Sequence, residues 1–210
     1  MKLVISKLRD FFRLALPVLI HFPIRNRHHT AIYSLGLPDL YDTDNHGNGI
    51  GSWSLMANSW GFNNNQYYPP PMDAWCKMIL GWVTPTTISP GPTLFSLGPQ
   101  CQSNTVYKIT TNFPVGEYLL IENRQKVCLY DSQMGGSLSG GLAVFHIDEK
   151  QPSFDTQGFP GQSGWPYNYN HYRVAMLQAD KLFELEKKTN RGNIGDLYHD
   201  GDTLGPSTSS

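Results

Sequence analysis

Long apolar runs, an excess of one charge and a useful number of cysteines are all missing from this 210-residue chain. The apolar stretch near its start, Leu14-Ala15-Leu16-Pro17-Val18-Leu19-Ile20, is far shorter than the roughly 20 residues a bilayer-spanning helix needs, so no transmembrane segment is expected. Lys and Arg number 16 against 17 Asp and Glu, a net charge of −1, which excludes the basic footprint of a protein that grips nucleic acid by its phosphates. Charged residues reach only 16%, too few for a coiled coil or a charge-rich disordered chain. The three cysteines, Cys76, Cys101 and Cys128, make neither a C-x-x-C pair nor a disulfide framework. Cys101 and Cys128 pair in an oxidising compartment, or all three stay reduced; spacing leaves both open.

What is plentiful is punctuation. Twenty Gly, 15 Pro and 12% aromatics imply many short elements joined by turns, closer to a β-rich protein than to a helical bundle. Residues 1–28 are basic and apolar. Lys2, Lys7, Arg9 and Arg13 precede the apolar run as in a signal peptide, but Asp10 intrudes and no small-x-small cleavage site follows, so any signal is weak. Residues 29–88 pass through Gly- and Asn-rich loops into a helix predicted from Met72 to Leu80, between Pro69-Pro70-Pro71 and Gly81. Within it Trp75, Met78, Ile79 and, beyond, Trp82 fall at helical spacing and are expected to pack. Residues 89–205 read as a β-rich domain, with strands predicted at Val106–Thr110, Glu117–Asn123, Leu142–Ile147 and Arg173–Gln178. A long aromatic loop, Asp148–Asn170, holds Phe154, Phe159, Trp165, Tyr167 and Tyr169. Leu182–Lys187 suits one or two helical turns, and 206–210 form a flexible tail.

Chemistry is concentrated in His29-Thr30-Ala31-Ile32-Tyr33-Ser34-Leu35-Gly36-Leu37-Pro38-Asp39-Leu40-Tyr41-Asp42. A zinc hydrolase on a helix uses two imidazoles four apart, which share one face, and a Glu directly after the first as general base. A Gly three residues after the second His turns the chain so that a third ligand approaches from another side. Here His29 is followed by Tyr33 at plus four, Gly36 at plus seven and Asp39 at plus ten. The turn and the carboxylate are in place; the second imidazole and the base are not.

In this respect the chain resembles the immune inhibitor A-type zinc metallopeptidases, secreted endopeptidases related to the metzincins, whose motif is H-E-x-x-H-x-x-G-x-x-D followed by L-Y-D. Gly36-Leu37-Pro38-Asp39-Leu40-Tyr41-Asp42 matches that continuation, and Ile50-Gly51-Ser52-Trp53-Ser54-Leu55-Met56-Ala57 is similar to the family's Met-turn. Ala74-Trp75-Cys76-Lys77, Leu80–Pro85, Glu117–Gln125 and Gly141–Glu149 continue the similarity in order, over about residues 34–205. The resemblance implies His29 as first zinc ligand, Asp39 as third and Met56 as the Met-turn residue. It puts Thr30 at the general-base position and Tyr33 at the second ligand. A Thr hydroxyl is not basic at neutral pH, and one imidazole with one carboxylate makes a weak, open site. With 28 residues before His29, the upper sheet subdomain that holds a peptide by strand addition is expected to be missing.

The resulting expectation is an α+β fold: the lower subdomain of a zincin-like catalytic domain, then a β-rich, sandwich-like domain. Its function is that of a secreted zinc metalloendopeptidase acting on protein or peptide substrates, truncated or degenerate and with little or no activity. Two alternatives stand beside it. One is a non-catalytic binding module using the aromatic loop; the other is an active peptidase whose upstream sequence is misassigned. Cofactors are zinc in the intact family and calcium at Asp42 and Asp44, since Asp42-Thr43-Asp44-Asn45-His46-Gly47 is like part of a calcium loop. Trp53 stands where an EF-hand needs its closing Glu, so that motif is excluded. Turn chemistry is an equal reading for Asp39, Asp42 and Asp44. His146, Asp148 and Glu149 read as loop hydrogen-bonders rather than a metal cluster, and Asp196, Asp200 and Asp202 as a solvated acidic run.

Overall fold

Alternation sets the centre of the molecule. In Glu117–Gln125, Tyr118, Leu120, Glu122 and Arg124 fall on one side at period two, and all four are buried. The computed structural model describes residue 29 and residues 32–64, 67–89, 94–152, 158–165 and 172–204. The expectations for Thr30, residues 1–28, Phe154, Tyr167, Tyr169 and the 206–210 tail lie outside the described residues.

Five strands form one mixed sheet in the order β1 (Thr86–Ile88), β2 (Tyr107–Ile109), β3 (Glu117–Gln125), β4 (Gly140–Asp148) and β5 (Val174–Met176). β1 and β2 are parallel; every other neighbouring pair is antiparallel. The fold is α+β, with few and short helices. The expectation of a sandwich is corrected: among the described residues the strands make a single sheet. Residues of both the 29–88 and the 89–205 segments pack on it from one hydrophobic cluster that includes Leu40, Trp53 and Met56 with Phe145, Leu185 and Leu197.

Helix α1 (Ala74–Ile79) begins where Asp73 caps it, the carboxylate accepting from the Cys76 amide at 2.9 Å. Trp75 is buried, but Ile79 and Trp82 are 51% and 43% exposed, so the expectation that both pack inside is corrected. A six-residue helix shows the core only part of its circumference, and Gly81 turns the chain away with a positive φ of 69°. α2 (Gln100–Ser103) carries Cys101, which is disulfide-bonded to Cys128 after β3. Cys76 stays reduced and buried.

The helix expected over Leu182–Lys187 is corrected: turns begin only at Glu184, because Lys181, Phe183 and Lys188 take positive φ values that interrupt helical backbone. Beneath the sheet, Arg124 and Glu122 enter the core as a charged set. Arg124 bonds Asp131, Glu122 and the Trp53 carbonyl, and Lys77 pairs with Glu122 at 2.5 Å. Among the described residues no helix is long and apolar enough to cross a membrane.

Candidate functional site

The site is built by a short chain reversal. His29, Ile32 and Tyr33 are helical, and the segment ends in a turn closed by Leu35 N donating to Ile32 O and Gly36 N to Tyr33 O, each at 2.9 Å. Gly36 sits at φ +86°, a conformation that side-chain-bearing residues rarely take, and it swings Asp39 back towards His29. His29 Nε2 lies 3.0 Å from Asp39 Oδ1, and among the described residues neither atom makes a hydrogen bond elsewhere. The Tyr41 hydroxyl donates to the other Asp39 oxygen at 2.8 Å. Tyr33 stacks on His29, ring centroids 6.3 Å apart and planes 21° from parallel, yet is more than half exposed.

The Met56 turn is joined to this segment through the backbone. Leu40 N donates to Met56 O at 3.0 Å and Ile50 N to Leu40 O at 3.1 Å, so the Asp39–Leu40 segment and the Met56 turn are stitched together. A Cβ at Gly49 would fall 1.9 Å from the Leu40 carbonyl oxygen, so only glycine permits this approach. The turn is held from beneath as well: Arg124 Nη1 donates to Trp53 O at 2.9 Å and Ser54 Oγ to Asp73 Oδ2 at 2.6 Å. His29, Tyr33 and Asp39 therefore meet, and Met56 is tied through its carbonyl to Leu40, the residue after Asp39.

Asp42 and Asp44 follow turn chemistry. Asp42 accepts from the amides of Asp44 at 3.1 Å and Gly47 at 2.5 Å; Asp44 accepts from His46 N at 3.1 Å and faces its ring. Burial and the neighbouring Asp44 push the Asp42 carboxyl up to about 6, while Asp44, hydrogen-bonded to Asp42 and His46, is lowered to about 2. The two signs oppose. Proton binding by Asp42 contributes stability that is complete below its ordinary 3.8 and is lost as pH rises through about 6. Asp44 contributes above the ordinary value and loses it as pH falls towards about 2. Asp42→Asn is therefore expected to flatten the fall in stability between about pH 4 and 6.5. Urea midpoints across that range check this, and an unchanged slope would refute it.

His29, Tyr41 and Ala57 open into a cleft of about 370 Å³ completed by Trp60, Lys188 and Arg191. The last three were not legible as site residues; Lys188 and Arg191 arrive from a turn more than a hundred positions downstream, without a local motif. The other acidic groups are accounted for locally. His146 Nε2 meets Glu117 Oε1 at 2.8 Å, Asp148 accepts from Lys150 N and Gln151 Nε2, and Glu149 accepts from the Tyr118 hydroxyl. The expected run of Asp196, Asp200 and Asp202 is corrected: Asp196 is fully buried, bonded to Trp53, while Asp202 bonds the His199 amide.

For zinc, the donor set is incomplete. Two ligands of one tetrahedral ion at ~2.0–2.1 Å stand about 3.3 Å apart, and the unbonded His29 and Asp39 atoms are close to that separation. A catalytic zinc takes three protein ligands and keeps one position open, and no third imidazole or carboxylate joins this pair among the described residues. The chain matches no protein-family model, and neither a curated protein nor a solved structure shows significant similarity to it.

Proposed function

We propose that this chain is a non-hydrolytic relative of the secreted immune inhibitor A-type zinc metalloendopeptidases, keeping the floor of their metal site without its chemistry. The observation that carries this reading is the facing pair His29 Nε2 and Asp39 Oδ1, 3.0 Å apart and otherwise unbonded among the described residues, with the buried Met56 hydrogen-bonded to the adjoining Leu40. The Cys101–Cys128 disulfide supports an oxidising, extracellular setting. Hydrolysis fails for two reasons. Thr30 has no carboxylate to take a proton from water, and two protein donors hold a metal too weakly to polarise a peptide carbonyl. The aromatic and basic walls of the cleft leave peptide binding as the retained activity, Trp60 and Tyr41 offering apolar faces and Arg191 a charge.

Purified chain incubated with casein is expected to show no chelator-sensitive cleavage. The double variant Thr30→Glu/Tyr33→His rebuilds H-E-x-x-H and is expected to bind zinc more than about tenfold tighter by isothermal titration calorimetry, as an added ligand should. Cleavage by the unaltered chain would end the non-hydrolytic reading. Unchanged zinc affinity in the double variant would end the assignment of His29 as first ligand.

A further inference from the structure

We infer that Asp180, Glu184 and Asp196 form a calcium site that clamps the 180–196 loop onto the turn bearing Met56. One oxygen from each carboxylate lies within 4.8 Å of one from each of the others. Calcium binds oxygen at ~2.3–2.6 Å, so two ligands of one ion stand at most about 5 Å apart, and the cluster has the right size.

Proximity of acids is not the argument by itself. Asp196 is completely buried, and its Oδ1 has no hydrogen-bond partner among the described residues, which is costly for an anion unless something charged meets it. Its Oδ2 is committed, accepting from Trp53 Nε1 at 2.8 Å and Asn193 N at 2.9 Å. The other two acids are also held by hydrogen bonds. Asp180 Oδ1 accepts from Leu182 N at 3.0 Å, and Glu184 Oε2 from the side-chain amides of Asn190 and Asn193 at 2.6 and 2.7 Å. Each carboxylate is thus oriented through one oxygen. The backbone brings them together: Ala179 N donates to Asp196 O at 3.1 Å and Asp180 N to Gly195 O at 3.2 Å.

Among the described residues no Lys or Arg forms an ion pair with any of the three acids. An all-carboxylate donor set selects a hard cation over zinc or copper, and calcium tolerates irregular geometry better than magnesium. The ion's effect would reach the cleft, because the same loop supplies Arg191, whose carbonyl accepts from Ser52 N at 2.7 Å. This inference is independent of whether His29 and Asp39 bind zinc.

The test uses the full chain stripped of divalent ions by EGTA and titrated with calcium chloride, followed by calorimetry and thermal melting. Saturable binding is expected, with a melting temperature about 5–10 °C higher at calcium a hundredfold above its dissociation constant. Asp180→Asn, at an exposed position, is expected to lose at least tenfold in calcium affinity while its calcium-free melting temperature is no lower. Asp44→Asn, in the other acidic loop, is expected to keep the response. No calcium response in the unaltered chain, an Asp180→Asn variant that binds normally, or a response abolished by Asp44→Asn would each overturn the proposal.

Discussion

Arg124→Met is expected to cost the fold about 3–5 kcal/mol, because it strands the Asp131 carboxylate that the arginine neutralises in the core. Arg124, Glu122 and Asp131 are all completely buried. The guanidinium spans the group: Nε and Nη2 take Asp131, the latter at 2.7 Å, while Nη1 reaches both Glu122 Oε1 at 3.0 Å and the Trp53 carbonyl at 2.9 Å. With Lys77 on Glu122 the set holds two cations and two anions, so it is neutral as built. Without Arg124, Glu122 keeps Lys77, and among the described residues Asp131 keeps only Gln100 Nε2, at 3.3 Å. An anion left in low dielectric without a counter-charge costs more than the pair ever contributed. The double variant Arg124→Met/Asp131→Leu should therefore be less damaging than the single one. Guanidinium unfolding of the single and double variants checks both statements. A loss under about 1 kcal/mol for Arg124→Met would mean that water reaches the group and screens it. The loss would also spread to the candidate site, since Arg124 holds the carbonyl of Trp53 at the base of the Met56 turn.

Removing the Cys101–Cys128 disulfide is the second large effect. The bridge closes a loop of sequence separation 27 that contains β2 and β3. Loop-closure entropy for that length predicts a loss of about 3–4 kcal/mol when the unfolded chain is set free. Cys101→Ser/Cys128→Ser is the cleaner test, because reducing agent leaves Cys76 unchanged in any case. Burial, reinforced by Asp73, holds the Cys76 thiol well above its ordinary range, so it is neither a nucleophile nor a partner for exchange. Urea midpoints should fall for the double variant, and native chain should leave a thiol reagent unconsumed. An unchanged midpoint would show that the unfolded chain is already constrained between these positions.

Much of the frame was legible. The strands expected at Glu117–Asn123 and Leu142–Ile147 are the cores of β3 and β4, and the helix expected over Met72–Leu80 is α1 with Asp73 as its cap. Period two in a strand, and proline before and glycine after a helix, are consequences of local backbone geometry, so they leave a mark within a few residues, whereas the Asp73 cap that starts α1 at Ala74 was read as part of the helix. The Thr86–Ile88 edge strand was missed, since three residues are too few to show a period and its pairing partner Tyr107–Ile109 lies some twenty positions away. Exposure of Ile79 and Trp82 was missed for a related reason: helical spacing says which residues share a face, not whether a neighbour covers it.

What the sequence alone determined, then, is the set of local elements, the His29-to-Asp39 spacing with Gly36 as its pivot, and the lack of a carboxylate at Thr30 and an imidazole at Tyr33. Tertiary structure decided the rest. It brought Lys188 and Arg191 to a cleft with His29, set Trp53 against Asp196 across 143 positions, and gathered the carboxylates of Asp180, Glu184 and Asp196. A strand or a cap is stabilised by atoms a few residues apart. An ion site or a cleft is made where distant turns meet, and that meeting depends on how the whole core closes.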